Sequence, residues 1–144
     1  ESRALYLLQS AGLIKLDVSG NELATIKNIS SNPKNLTVTE IDASQTASTL
    51  TSVDAAVINN SYAQSSNVDY DTTLFKEAVD DNSAQWVNVI AAQKDWKDSD
   101  KADAIKALIS SYQTDEVAKI IEEATKGADI PAWEGAPTSS SSQE

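Results

Sequence analysis

Residues 54–63 contain the feature that most constrains the fold: four apolar residues end abruptly in a cluster of polar side chains. The apolar run, Ala55 to Ile58, has the length of a buried strand. Asn59 would stand at the carboxyl end of that strand, with a short helix beginning just beyond it. In open α/β sheets, ligands bind in the crevice outside the carboxyl ends of strands, because backbone donors and polar side chains converge there. The run therefore predicts an α/β fold with a small-molecule site at Asn59.

Composition and charge exclude several classes of function. The net charge is −11, with 22 acidic against 11 basic residues, which argues against an electrostatic grip on nucleic acid or on an anionic membrane surface. The chain has no cysteine and no histidine, so disulfides, thiol nucleophiles, imidazole metal sites and histidine-dependent triads are excluded. No apolar run approaches the roughly 18 to 20 residues of a transmembrane helix. An enzyme is the least expected class, and the absence of an initiator methionine suggests a processed protein or a fragment.

Helix and strand patterns alternate through the first two thirds of the chain. Apolar residues at helical spacing predict a helix from about Ser2 to Ala11, and Gly12 follows as a stop signal. Alternation and β-branched residues predict a strand from Leu36 to Ile41, and the apolar run from Val87 to Ala92 predicts another. Shorter expected features are a helix over residues 43–50 and a turn at Gly20 and Asn21.

Two helices are predicted near the end of the chain. Asp98 is expected to cap the first, whose apolar residues between 102 and 112 form one stripe, and Thr114 is expected to begin the second. The cluster of Asp98, Asp100 and Asp103 lacks the glycine-bearing loop of a calcium site, and we interpret it as charge favoured at a helix start. No metal and no cofactor are therefore expected. The three tryptophans are interpreted as packing residues.

Three polar side chains are candidates for ligand contacts, and each also has an ordinary structural explanation. The guanidinium of Arg3 is a planar fork that suits a carboxylate, but an arginine near a chain end is commonly a solvated surface residue. Asn59 follows a predicted strand, where an asparagine is often only a turn or helix cap. Asn88 interrupts an apolar run, so its amide must either face water or find partners.

Several segments together identify a family. They are SRALYLLQSAGLIKL at residues 2–16, NPKNL at 32–36, DAAVIN at 54–59 followed by Tyr62 and Ala63, and GADIPAW at 127–133. In this order and spacing they closely resemble the carboxyl-terminal half of the methionine-binding lipoproteins, the NlpA family of substrate-binding proteins that feed ABC importers. The resemblance runs from residue 1 to about Trp133. It implies a type II periplasmic-binding-protein fold, in which two α/β lobes close on an amino acid.

The resemblance also implies how the chain is divided and where it works. Residues 1–86 would form most of the second lobe, and residues 87–133 a crossover strand and a helical pair returning to the first lobe. The composition of residues 134–144, which offers almost nothing to bury, predicts a disordered tail. The first lobe's main sheet and the lipid-anchored cysteine would lie outside this chain. The full-length protein would be lipid-anchored to the membrane, extracytoplasmic in the cell envelope, with the ABC permease and ATPase as its partners.

The resemblance assigns ligand contacts only where the family motifs match. Arg3 fits the arginine that clamps the substrate α-carboxylate, and Asn59 and Asn88 fit the asparagines that contact the polar end of the ligand. The implied function is binding of methionine or a related apolar amino acid, without catalysis. Two departures, Ala84-Gln85-Trp86 before the crossover and Gln93 in place of an arginine, leave another apolar amino acid or a short peptide open. A divergent surface lipoprotein that contacts another protein is the alternative.

Overall fold

The chain forms two compact units, Glu1–Trp86 and Val87–Glu144. The computed structural model describes residues 1–19, 22–77 and 83–137. The helices and strands of the first unit are α1 (Ser2–Ser10), β1 (Lys15–Leu16), β2 (Ile29–Ser31) and α2 (Asn60–Ser65). Those of the second are α3 (Ala102–Tyr112) and α4 (Asp115–Thr125). The turn predicted at Gly20 and Asn21 lies outside the described residues.

The core of the first unit is built by α1 and the segment that follows it, which contains β1 and β2. α1 forms where the leucine spacing predicts it, and Gly12 ends it with φ +72°, a left-handed conformation that glycine adopts without strain. β1 pairs antiparallel with β2, with Lys15 opposite Ser31. Leu5, Ile14 and Ala24 are each only 2% exposed, so the helix contributes Leu5 to this core. Half-buried apolar residues surround this core, namely Tyr6, Leu8, Leu16, Val18, Ile29, Leu36 and Val38.

The predictions of strands at Ala55 to Ile58, Leu36 to Ile41 and Val87 to Ala92 are wrong for this structure. Among the described residues, the only β ladder is the one between β1 and β2. A strand requires a hydrogen-bonded neighbouring strand, and within residues 1–19, 22–77 and 83–137 none of these three segments has one. Their side chains are half-buried or exposed, and Val89 is 79% exposed. Two 3₁₀ turns, Ala43–Gln45 and Ser48–Thr51, likewise replace the short helix expected over residues 43–50.

The first helix of the second unit forms, but its predicted cap is wrong. The residue at the cap position of α3 is Lys101, and no side chain caps the helix. Asp98 instead ends a 3₁₀ turn, Trp96–Asp98, because the backbone N–H of Ser99 donates to the carbonyl of Trp96. The first turn of α3 therefore has no carboxylate cap, and the backbone N–H of Ala102 donates to the carbonyl of Ser99.

The second helix, α4, begins and ends as predicted. The hydroxyl of Thr114 accepts a hydrogen bond from the backbone N–H of Val117 at 3.2 Å, which is an N-cap. At the other end Lys126 is left-handed, with φ 53°, and the N–H of Gly127 donates to the carbonyl of Glu122 at 2.9 Å. Local sequence therefore determines both ends of α4.

Trp133 packs near the end of the described chain. Its ring lies edge-to-face against Tyr112, with 5.9 Å between centroids, which agrees with a packing role. Beyond it, the backbone N–H of Ala136 closes a turn onto the carbonyl of Trp133, and residues 138–144 of the predicted disordered tail lie outside the described residues. Among the described residues, no helix has the length and apolarity needed to cross a bilayer.

Candidate functional site

The amino-terminal end of α1, which carries Arg3, is tied to the segment that precedes β2. The hydroxyl of Ser2 accepts a hydrogen bond from the N–H of Ala24 at 2.9 Å. The carboxylate of Glu1 accepts another from the N–H of Ile26, also at 2.9 Å. Because Ala24 is buried beside Leu5, these two bonds fix the first turn of α1 on the core. Arg3 therefore lies on a helical turn whose position is fixed by hydrogen bonds.

The rest of α1 is fixed by two further side chains. The amide oxygen of Gln9 accepts from the N–H of Leu16 at 2.7 Å, which joins the helix to β1. The hydroxyl of Tyr6 contacts the carbonyl oxygen of Ser19 and that of Glu22, the latter at 2.7 Å. Burial raises the pKa of Tyr6, and the negative charge of Glu22 raises it further. α1 is thus joined to its surroundings along its whole length.

Arg3 is the sole arginine of the sequence, and its guanidinium already holds a carboxylate. Nε lies 3.2 Å from Oε1 and 3.0 Å from Oε2 of Glu77, and Nη2 lies 2.5 Å from Oε2. The side chain of Arg3 is 46% exposed and that of Glu77 is 32% exposed. The geometry demonstrates that a carboxylate can reach this guanidinium along a bidentate edge.

Glu77 is a site residue that the sequence analysis did not find. It lies 74 residues from Arg3 along the chain, on a segment without regular structure that follows the 3₁₀ turn Tyr70–Thr72. The need of an exposed arginine for a counter-charge was the only available signal. That signal does not select one acid among the 22 in the chain.

Asn59 stands at the N-cap position of α2, with φ −65° and ψ 142°. Its backbone carbonyl accepts from the N–H groups of Tyr62 and Ala63, both at 3.0 Å. Its side chain is exposed and makes no capping bond. Asn59 therefore takes the N-cap position through its backbone, but its side chain does not cap the helix. Within the described part of the chain, the side-chain amide of Asn59 makes no hydrogen bond.

Asn88 belongs to the second unit, at its beginning, and its side chain is exposed. Because the surrounding run forms no strand, the amide does not interrupt a buried ladder, and the exposed side chain corresponds to the alternative in which it faces solvent. Arg3 and Asn59 both belong to the first unit, and no hydrogen bond joins them. The three predicted ligand residues are thus divided two and one between the units.

Metal-binding groups and pockets were also considered as sites in the described part of the chain. Over the described residues, no group of three or more acidic side chains is arranged to hold a metal ion. An open pocket of about 390 Å³ lies beside β1, lined by residues of α1, β1, the end of β2 and Pro33. It contains none of the three predicted ligand residues and no carboxylate.

In the described residues, the half-exposed guanidinium of Arg3 lies on a helix that is fixed on the core, and the side chains of Asn59 and Asn88 are exposed. The sequence profile of the family described as NlpA lipoprotein matches residues 1–133. The chain therefore belongs to the NlpA lipoprotein family, as its sequence motifs predicted.

Relatives of known description agree with this family assignment. A protein of Haemophilus influenzae described as "Probable D-methionine-binding lipoprotein MetQ" is 40% identical over 132 residues, which are 91% of this chain and 46% of that protein. "Outer membrane lipoprotein 1" of Mannheimia haemolytica is 39% identical over 132 residues, which are 92% of this chain and 46% of that protein. The chain spans about half the length of the curated relatives it matches.

Solved structures confirm the predicted fold class. The substrate-binding protein of a methionine transporter from Streptococcus pneumoniae is 63% identical, with a TM-score of 0.80 over 92% of this chain and 51% of that one. A nutrient-binding protein from Burkholderia cenocepacia, solved bound to methionine, is 30% identical, with a TM-score of 0.68 over 92% of this chain and 54% of that one. The chain has the fold of about half of a substrate-binding protein.

Proposed function

We propose that the chain is part of the substrate-binding component of an ABC importer, and that it binds methionine or a related apolar amino acid without chemical conversion. The observation that carries the proposal is the family match over residues 1–133, whose relatives include named methionine-binding lipoproteins. The absence of histidine and cysteine from the sequence agrees with a non-catalytic role.

Each of the three predicted residues has a role in this proposal. Arg3 binds the α-carboxylate of the ligand, while Asn59 and Asn88 contact its polar amino-acid end. The half-exposed guanidinium of Arg3 on a held helix supports the first role. The exposed amides of Asn59 and Asn88 support the others, because an amide supplies both donors and an acceptor to a zwitterion.

The chain works as half of a two-lobe protein in this proposal. Residues 1–86 belong to the second lobe, and residues 87–133 return to the first. Coverage of about half of each relative supports this division. The whole protein is lipid-anchored on the extracytoplasmic side of the membrane, and closure of its lobes presents the loaded protein to a permease driven by an ATPase.

Replacement of Arg3 tests the proposal in the two-lobe protein that contains this chain. A charge-assisted hydrogen bond contributes about 1.5–3 kcal/mol, so Arg3→Ala is expected to raise the Kd for methionine about 10- to 150-fold. Arg3→Lys keeps the charge but loses the planar fork, and an intermediate Kd is expected. Isothermal titration calorimetry measures all three proteins.

Lys27→Ala is the control, because Lys27 is an exposed cation of the same unit that makes no ion pair within the described chain. Its Kd should equal that of the unaltered protein. An unchanged methionine affinity after Arg3→Ala contradicts the proposed role of Arg3. No response of the unaltered protein to methionine, other apolar amino acids or dipeptides would favour a protein-interaction role instead.

A further inference from the structure

The ion pair between Arg3 and Glu77 involves only one of the two edges of the guanidinium that can bind a carboxylate. A guanidinium carries five N–H donors in one plane, and a carboxylate can bind along its Nε/Nη2 edge or along its Nη1/Nη2 edge. Glu77 accepts from Nε and Nη2. No hydrogen bond or ion pair to Nη1 occurs in the described part of the chain. Arg3 therefore retains a second carboxylate-binding edge, on a side chain that is 46% exposed.

Glu77 approaches Arg3 from a segment that is itself attached to a neighbouring turn. The ammonium of Lys76 lies 3.7 Å from the centroid of the Tyr70 ring, a cation–π contact. Tyr70 begins the 3₁₀ turn that precedes this segment. Adjacent residues of the segment thus make two separate contacts, Lys76 with the turn and Glu77 with α1.

We propose that Glu77 is a positioning residue for ligand binding, which holds the guanidinium of Arg3 so that its Nη1/Nη2 edge receives the α-carboxylate of the amino acid. This inference rests on the proposed function. An unpaired arginine samples many rotamers, and ordering it during binding weakens affinity. Glu77 orders the side chain before the ligand arrives, and its carboxylate lies on a different edge from the one the ligand takes.

If Glu77 were a competitor of the ligand for Arg3, its replacement would have the opposite effect on methionine affinity. If Glu77 occupied Arg3 in place of the ligand, its removal would free the guanidinium and tighten binding. The use of a single edge favours positioning, because a second carboxylate has donors available without displacing the first. Loss of the pair is not expected to unfold the protein, since exposed ion pairs contribute little to stability.

A double-mutant cycle in the two-lobe protein tests the inference by calorimetry with methionine. Glu77→Gln is expected to raise the Kd about 3- to 10-fold, as for loss of preorganisation of one long side chain. Arg3→Ala should raise it more. The double variant should match Arg3→Ala alone, because Glu77 acts through Arg3. A merely structural effect would persist in the Arg3→Ala background.

Glu123→Gln is the matched control, because Glu123 also pairs with a cation, Lys119 at 3.7 Å, but on α4. Its Kd should not change, and circular dichroism checks that every variant is folded. Unchanged or tighter methionine binding by Glu77→Gln, together with a loss on Arg3→Ala, overturns the inference and leaves the proposed function intact. No loss on Arg3→Ala overturns both.

Discussion

Leu5 and Leu23 have the same side chain but very different exposure to solvent. Leu5 lies on α1 and is 2% exposed, within the core that it forms with Ile14 and Ala24. Leu23 lies only one residue before the buried Ala24, yet it is 80% exposed. Helical spacing identifies Leu5 as a core residue from sequence, because neighbouring leucines share its face. No local pattern identifies Leu23 as exposed.

Leu5→Ala should destabilise the chain by about 2–5 kcal/mol, since it removes buried methyl groups and leaves a cavity. Leu23→Ala is the same chemical change at an exposed position and should alter the free energy of unfolding by at most about 0.5 kcal/mol. Urea unfolding of the 144-residue chain, followed by circular dichroism, measures both. Equal effects of the two substitutions would contradict the position of Leu5 in the core.

At the candidate site, too, the sequence predicts the surroundings of single residues only in part. Arg3 was expected to be either a solvated surface residue or a carboxylate ligand, and in the structure its side chain is 46% exposed and paired with a carboxylate. Its contact with Glu77 was not predictable, since the two residues are 74 positions apart and nothing local relates them. The side chain of Asn59 was expected to cap α2 or to meet a ligand, and only the structure shows that it does not cap.

Elements with local determinants were predicted well. α4 is an example, because a hydroxyl at Thr114 begins it and the Lys126–Gly127 pair ends it, and both signals are readable within a few residues. Strands are different, since their hydrogen-bond partners are distant in sequence. The run from Ala55 to Ile58 has the composition of a buried strand but lies beside no partner strand in the described chain.

Thr114→Ala should destabilise α4 by about 1 kcal/mol, because the N–H of Val117 loses the hydroxyl that caps it. Thr37→Ala is the matched control, since Thr37 is exposed and lies outside every described helix and strand. The difference in the free energy of unfolding between the two variants isolates the cap. A Thr37→Ala effect as large as that of Thr114→Ala would show that the hydroxyl of Thr114 does not stabilise the helix.

At the scale of the whole molecule, the proposed function has a consequence for what the chain can bind alone, because the chain spans about half the length of its relatives. Small-molecule sites usually enclose about 70–90% of a ligand's surface, which requires walls on several sides. The described residues provide a half-exposed arginine and exposed amides, and the chain spans about half of each relative. The proposed function therefore depends on surface supplied beyond these residues.

We expect the 144-residue chain by itself to bind methionine weakly or not at all, and we expect tight binding only by the proposed two-lobe protein. Calorimetry on the two proteins under identical conditions measures the difference. The two-lobe protein carrying Arg3→Ala serves as the reference for loss of one contact. If the isolated chain matched the affinity of the two-lobe protein, the proposed division of the site would be wrong.

The sequence by itself determined the family, the helices α1 and α4 and the helix start at Asn60, because motifs, spacing and caps are encoded within a few neighbouring residues. Only the tertiary structure decided which apolar runs become strands and which carboxylate meets Arg3. Both depend on contacts between distant segments, and local patterns carry no record of the partner. Beside Asn59, the sequence therefore predicted the helix that begins at Asn60 correctly, but not the strand that was expected to precede it.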